Sequence, residues 1–261
     1  MSDKQTYYTT QLQAGLGLVE ETKSLLSIYK SGMTPSQLHA NALESGLFPM
    51  VSARRLKNII TECFTPRYIK TDSAKYLKPI SSTSTASTFN QFLLVFTALA
   101  NKILFDFIKE VYWSKYASGR DTLSTTDAKN FVTNAVREGK TQQEWSETTI
   151  RRVSSYLIGC CADYGMLSTS RSSVRQVQST RLQEHTLLFF SYWLHYQGVG
   201  DNSIVSHDIW KIFGLEPSYV REELKRISKN SWLIVQSAGD VTRISWSFNN
   251  LNEVINVITE S

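Results

Sequence analysis

Residues 217–248, PSYVREELKRISKNSWLIVQSAGDVTRISWSF, decide how this chain is read. Pro217 suits the first position of a helix, and Val220, Leu224 and Ile227 recur at helical spacing after it. Two β-rich arms then flank Ser237-Ala238-Gly239-Asp240, the strongest hairpin signal in the chain. In the second arm Ile244, Trp246 and Phe248 share one face, and Arg243 and Ser245 the other. Upstream, 182–197 (LQEHTLLFFSYWLHYQ) reads as an aromatic-rich helix ended by GVGDN, and 206–213 as a short helix ended by Gly214. Residues 251–258 read as a closing helix.

Three helices followed by a two-stranded hairpin follow the winged helix-turn-helix plan, in which the third helix enters the major groove and the hairpin touches phosphate. On that plan the third helix offers Arg221, Lys225 and Arg226 beside Ser218, Tyr219 and Lys229, with Arg243 on the wing. Glu222 and Glu223 weaken its basic character, and winged helices also serve as protein-interaction modules.

Working outward, Thr34-Pro35-Ser36-Gln37 combines an N-cap, a helix-opening proline and a reciprocal Gln. A helix over 19–31 precedes it and Gly32 closes the turn. Ser52 caps a third segment in which Leu56, Ile59, Ile60, Cys63 and Phe64 form an apolar stripe, with Arg54, Arg55 and Lys57 opposite. Thr65-Pro66 reads as a further helix start. Residues 81–88, SSTSTAST, read as a linker. The apolar run over 89–116 reads as one long core helix, since Asn90, Asn101, Lys102, Asp106, Lys109 and Glu110 interrupt it too often for a membrane span. Residues 127–137 read as a short helix. Thr141-Gln142-Gln143-Glu144 has a second capping-box pattern ahead of a helix bearing Arg151 and Arg152, and 166–178 reads as a small basic hairpin with Arg171 and Arg175. The expected organisation is therefore mainly α and multi-unit: a helix-turn-helix-like unit over 1–80, a helical bundle with a basic hairpin over 81–180, and a winged unit over 181–261.

The 261 residues carry 28 Lys and Arg against 23 Asp and Glu, a net charge of +5. That excess is clustered: residues 50–78 hold seven basic and two acidic residues, Arg67 among the former, whereas 1–49 carry three against four. Clusters at candidate recognition helices and wings are what phosphate neutralisation requires. With hydrophobic residues at 41% and charged residues at 20%, the chain is neither disordered nor a membrane bundle. Twelve glycines and five prolines leave few helix breakers. Three cysteines make no disulfide framework, and the first ten residues lack a signal-peptide layout, so a cytoplasmic protein is expected.

Catalytic constellations are scarce. No phosphate-cradling GxxxxGK[ST] loop occurs, and the GLG at 15–17 and GVG at 198–200 lack the third glycine and preceding strand of a dinucleotide site. His39, His185, His195 and His207 fall at no metal-ligand spacing, and Cys160 and Cys161 on one helix point about 100° apart. They are expected in the core. No catalytic residue, metal or cofactor is expected.

Two stretches carry a resemblance. GLVEETKSLLSIYKSGMTPSQLHANALESGLFPMVSARRLKNIITECF and EWSETTIRRVSSYLIGCCADYGMLS resemble the BrxA family of bacterial BREX phage-defence systems across much of residues 12–170. The family's opening "L-x-E-[ST]" helix corresponds to Leu18, Glu20, Glu21 and Thr22, and its Ser-capped basic helix to 52–64. The "W-S-x-[ST]-T" helix start corresponds to Trp145 to Thr149, and the "A-x-x-G-x-L" turn to Ala162, Gly165 and Leu167. The resemblance implies a cytoplasmic, non-enzymatic, mainly helical component, NusB-like in its helical part and bound to nucleic acid. The tail from residue 179 is longer than in short members and stands on its own pattern.

The expected function is binding of double-stranded DNA through phosphate with little sequence preference, as an accessory of an antiphage system. Its contacts would be Arg54, Arg55, Lys57, Arg67, Arg151, Arg152, Arg171, Arg175, Arg221, Lys225, Arg226 and Arg243; other BREX components are the further partners, with no membrane and no small-molecule substrate. One rival is a protein scaffold, suggested by the aromatic cluster Phe189, Phe190, Tyr192, Trp193 and Tyr196. The other is RNA binding through the NusB-like half, although no RNP-type aromatic motif occurs.

Overall fold

The computed structural model describes residues 7–170, 172–178 and 180–260. The fold is mainly helical with two small antiparallel strand pairs. The elements are α1 (Val19–Ile28), α2 (Pro35–Glu44), α3 (Ala53–Asn58), continued as a π-helix (Ile59–Ile69), α4 (Ala74–Thr83), α5 (Ala86–Ala100), α6 (Lys102–Phe107), extended by a second π-helical turn (Ile108–Tyr112) into α7 (Trp113–Ala117). Then follow β1 (Thr122–Ser124), α8 (Thr125–Arg137), α9 (Glu147–Asp163), β2 (Val174–Gln176), α10 (Glu184–His195), α11 (Asp201–Val205), a 3₁₀ turn (Asp208–Phe213), α12 (Pro217–Ile227), β3 (Leu233–Ala238), β4 (Val241–Trp246) and α13 (Leu251–Glu260).

The chain forms two compact units rather than three. The first comprises residues 1–78 and 93–180, the second residues 79–92 and 181–261. The chain leaves the first unit after 78, returns at 93 and leaves it again after 180, so the first eighty residues share one core with later ones. Phe64 meets Tyr68 edge-on, and Tyr68 meets Phe96. Tyr8 donates to Asp106 Oδ2 at 2.7 Å, and Tyr164 donates to Gly17 O at 3.1 Å. α9 packs on α8, and its Val153, Leu157 and Cys160 are fully buried.

Residues 81–88 are not a linker. Ser82 and Thr83 close α4 by bonding Pro79 O, and Thr85 Oγ1 accepts from Thr88 N at 3.2 Å to start α5. Small polar residues served as helix ends, a role with the same composition as a loop. The apolar run over 89–116 is not one helix. It bends by 114° at Asn101, whose side chain donates to Thr97 O at 2.8 Å and competes with the helical ladder. Among the described residues no single helix is long and apolar enough to cross a membrane.

The Thr34 capping box forms as read, and Ser52 accepts from Arg55 N at 3.3 Å. Thr65-Pro66 starts no helix; Pro66 lies within the π-helix that continues α3. The second box is also displaced. Ser146, not Thr141, caps α9, and Thr141 instead bridges to Tyr8. The basic hairpin over 166–178 closes through Leu167 and Val177, but β2 finds its longer partner in β1, with Leu123 opposite Arg175. The strand at 122–124 went unread because three residues give too little alternation.

In the second unit Phe92 lies edge-on to Phe189 at 5.1 Å, and Gln91 clips the chain at both Arg181 O and Gln183 N. Tyr192 donates to Trp232 O and accepts from Ser247 N, tying α10 to both ends of the hairpin. β3 and β4 pair from Leu233–Trp246 to Ala238–Val241 around Gly239, whose φ of +57° needs no Cβ. Thr242 N and Ile244 N donate to Asn202 and Asp201, so the outer edge of β4 is held by the start of α11.

Candidate nucleic-acid interface

The cations divide into those committed to the fold and those presented to solvent. In the first unit Ser52 starts α3 at the end of a tight loop, and the apolar stripe Leu56, Ile59, Ile60, Cys63 and Phe64 is buried as expected. That burial turns Arg54, Arg55 and Lys57 outward, and all three are exposed. Arg151 and Arg152, on the first turns of α9, are exposed as well.

Arg67 corrects the sequence reading. It lies 2% exposed, donating Nη1 to Leu16 O and Nη2 to Gly15 O at 2.9 Å each, while its Nε has no partner. At about 100° per residue position 67 falls within roughly 20° of Leu56 and Ile60, so the period itself carries Arg67 onto the buried stripe, and it was its charge that suggested exposure. Arg67 is a clamp on the 15–18 segment and cannot reach a ligand. Arg175 is half-buried on β2, beside Asp163 and Cys161, with Nε unpartnered. Arg171 lies outside the described residues.

These groups do not form one continuous patch. Arg55 lines a groove of about 520 Å³ with Glu20, Glu21, Asp163 and Thr169, so α3 begins near the C-terminal end of α9. Arg151 and Arg152 sit at the opposite end of that helix, about 16 Å away along its axis. The groove beside Arg55 is of mixed charge. Asp163 accepts from Gly17 N at 2.9 Å; burial pushes its carboxyl upward, with that bond and Arg175 opposing.

In the second unit α12 is less available than its sequence suggests. Arg221 donates Nε to Thr242 Oγ1 at 3.0 Å and Nη2 to Asp240 O, bracing the hairpin. Arg226 is bridged to Glu184 and to Glu223, the latter at 2.7 Å. Lys225 pairs with Glu222 at 3.0 Å. Of the four expected contacts here, Arg221 and Arg226 hold other parts of the unit, Lys225 pairs within α12, and Arg243 is exposed with no carboxylate partner among the described residues. The expected aromatic cluster is mostly core: Phe189, Phe190 and Tyr192 are buried, and Tyr196 reaches the surface to bond Phe248 O.

Sequence reasoning missed one surface. Leu43, Leu47 and Met50 are exposed at 49%, 47% and 94%, immediately before the cations of α3. The signal was the run Leu47-Phe48-Pro49-Met50 between two helix caps, where a loop would ordinarily be polar.

Comparison with known proteins bears on the whole arrangement. The family model for BrxA matches residues 6–191. No curated protein matches the chain. Among solved structures, an uncharacterized protein from Magnetospirillum magneticum aligns with a TM-score of 0.60 at 12% identity, covering 79% of this chain and 98% of that one. At that identity the likeness concerns the fold alone.

Proposed function

The chain belongs to the BrxA family of BREX-associated defence proteins, and from that premise we propose that it is a non-enzymatic accessory that binds duplex DNA through phosphate, chiefly by its first unit. The observation that carries this reading is the set Arg54, Lys57, Arg151, Arg152 and Arg243: all are exposed, and among the described residues none is held by a carboxylate. Exposed cations without a carboxylate partner are available to displace counterions from a polyanion. The order α10, α11, 3₁₀ turn, α12, hairpin supports a winged helix for the second unit, with Arg243 on the wing as its phosphate contact. The paired state of Arg221, Lys225 and Arg226 argues against α12 as a strongly basic reading head. The scaffold alternative loses its original support, since the aromatic cluster that suggested it lies mostly inside.

The test is the salt dependence of duplex binding. With about five phosphates neutralised, log K should fall with log [salt] at a slope of about −4.5, close to 500-fold between 50 and 200 mM. Arg151→Ala/Arg152→Ala should make the slope shallower by up to about 1.8. A flat response, or tighter binding to single-stranded RNA of equal length, would falsify the duplex reading. Competition among unrelated duplexes should show little preference, because Arg and Lys on phosphate carry no sequence information.

A further inference from the structure

We propose that the loop over 46–51 is an apolar wedge, led by Met50, that enters a base step of duplex DNA and kinks it; this rests on the duplex-binding reading above. Met50 is 94% exposed at the tip of a short loop, and half-exposed Phe48 and Val51 lie beside it. The loop is braced at both ends. Leu47 N donates to Ser45 Oγ, Val51 N to Phe48 O at 3.1 Å, and Arg55 N to the Ser52 cap. His39, from the middle of α2, donates Nε2 to Ala53 O at 3.1 Å and fastens the far side. A side chain that protrudes from a braced loop is presented at fixed geometry, so little ordering entropy is lost when it inserts.

Shape and charge choose the occupant. A helix or extended peptide docks into a concave groove or along a sheet edge, and a protruding loop tip offers neither. Met and Pro are among the residues that proteins push between base pairs from the minor groove. The cations lie where such an insertion needs them: Arg54 and Lys57 follow Met50 by four and seven residues, exposed on the first turns of α3. Four residues span at most about 14 Å, against a minor groove about 6 Å wide. Met50 can therefore occupy the step while Arg54 reaches a flanking phosphate.

The experiment uses the full chain and an end-labelled duplex of about 25 base pairs with 2-aminopurine beside one central TA step, a flexible step that kinks readily. Wild type should bring the ends together by a bend in the range of about 20–90° and brighten the 2-aminopurine by unstacking. Met50→Ala, at a surface position, should lose both signals and keep the salt slope, because no phosphate contact is removed. Arg54→Ala/Lys57→Ala should instead reduce the slope by up to about 1.8. If wild type binds without bending or brightening, or if Met50→Ala bends as wild type does, the wedge is wrong while the duplex reading stands, and the loop is left to a protein partner. If wild type does not bind duplex at all, both fall.

Discussion

Arg67 is a charged residue inside the first unit with no carboxylate bonded to it, satisfied by two backbone carbonyls of the 15–18 segment. Truncation strands both carbonyls and leaves a cavity the size of a long side chain. Arg67→Ala should therefore cost about 3–5 kcal/mol in urea denaturation while leaving the salt slope of the folded fraction unchanged. A reduced slope would return Arg67 to the binding surface. Gly17 answers to a neighbouring constraint, since a Cβ there would lie 2.5 Å from Asp163 Cβ. Gly17→Ala should destabilise by about 1–3 kcal/mol, read as a lower urea midpoint. His185, His195 and His207 all belong to the second unit, and burial lowers the pKa of each, with nearby Glu184, Asp201 and Asp208 opposing. Their folded pKa values lie below the unfolded value, so the unfolded state takes up protons first. Their contribution is fully present above about pH 6.5 and is lost as pH falls below it. Thermal melts followed by tryptophan emission should show the second unit weakening from pH 7 to 5.5, and replacing His195, which stacks on Trp246 at 4.3 Å, with Phe should blunt that change.

At the scale of elements, the helices with strong caps behaved as local chemistry dictates. α2 and α8 both begin with reciprocal capping boxes, and the hairpin turns at Gly239. α12 is different, for its amphipathic pattern fixed its buried face of Val220, Leu224 and Ile227, yet not what its cations would do. Glu184 comes from another helix, and with Glu223 it holds Arg226 on the surface of the unit. Such partly exposed pairs contribute about 1 kcal/mol or less. Arg226→Ala should accordingly lower stability by no more than that and leave the salt slope of DNA binding within error of wild type. A slope change near 0.9 would make Arg226 a phosphate contact after all.

At the scale of the molecule, the second unit is assembled from two separated pieces of chain. Residues 79–92 contribute Phe92 against Phe189 and Phe190, and Gln91 against the backbone at 181 and 183. A fragment over 181–261 lacks these groups and leaves two buried phenylalanines uncovered. Losing the Phe92 side chain alone is worth about 3–5 kcal/mol, a large share of a small unit's stability. The isolated fragment should bind ANS and show weak near-ultraviolet dichroism, and a synthetic 79–92 peptide should restore the native signals. A fragment that is fully ordered by itself would show that residues 79–92 decorate the unit rather than complete it.

Caps, turns and apolar periodicity are local, and so the sequence by itself determined the mainly helical class, most helix starts, the hairpin over 233–246 and the basic face at 54–57. The family resemblance was legible for the same reason, since its motifs are helix starts and turns. What only tertiary structure decided depends on partners distant in the chain. Arg67 can stay inside as a charged group because Gly15 and Leu16 supply carbonyls from fifty residues away. Residues 79–92 join the second unit because Phe92 finds its cover a hundred residues later. Charge shows the same division. Each cation is visible in the sequence, but whether it is free for phosphate depends on which carboxylates and carbonyls the fold brings beside it.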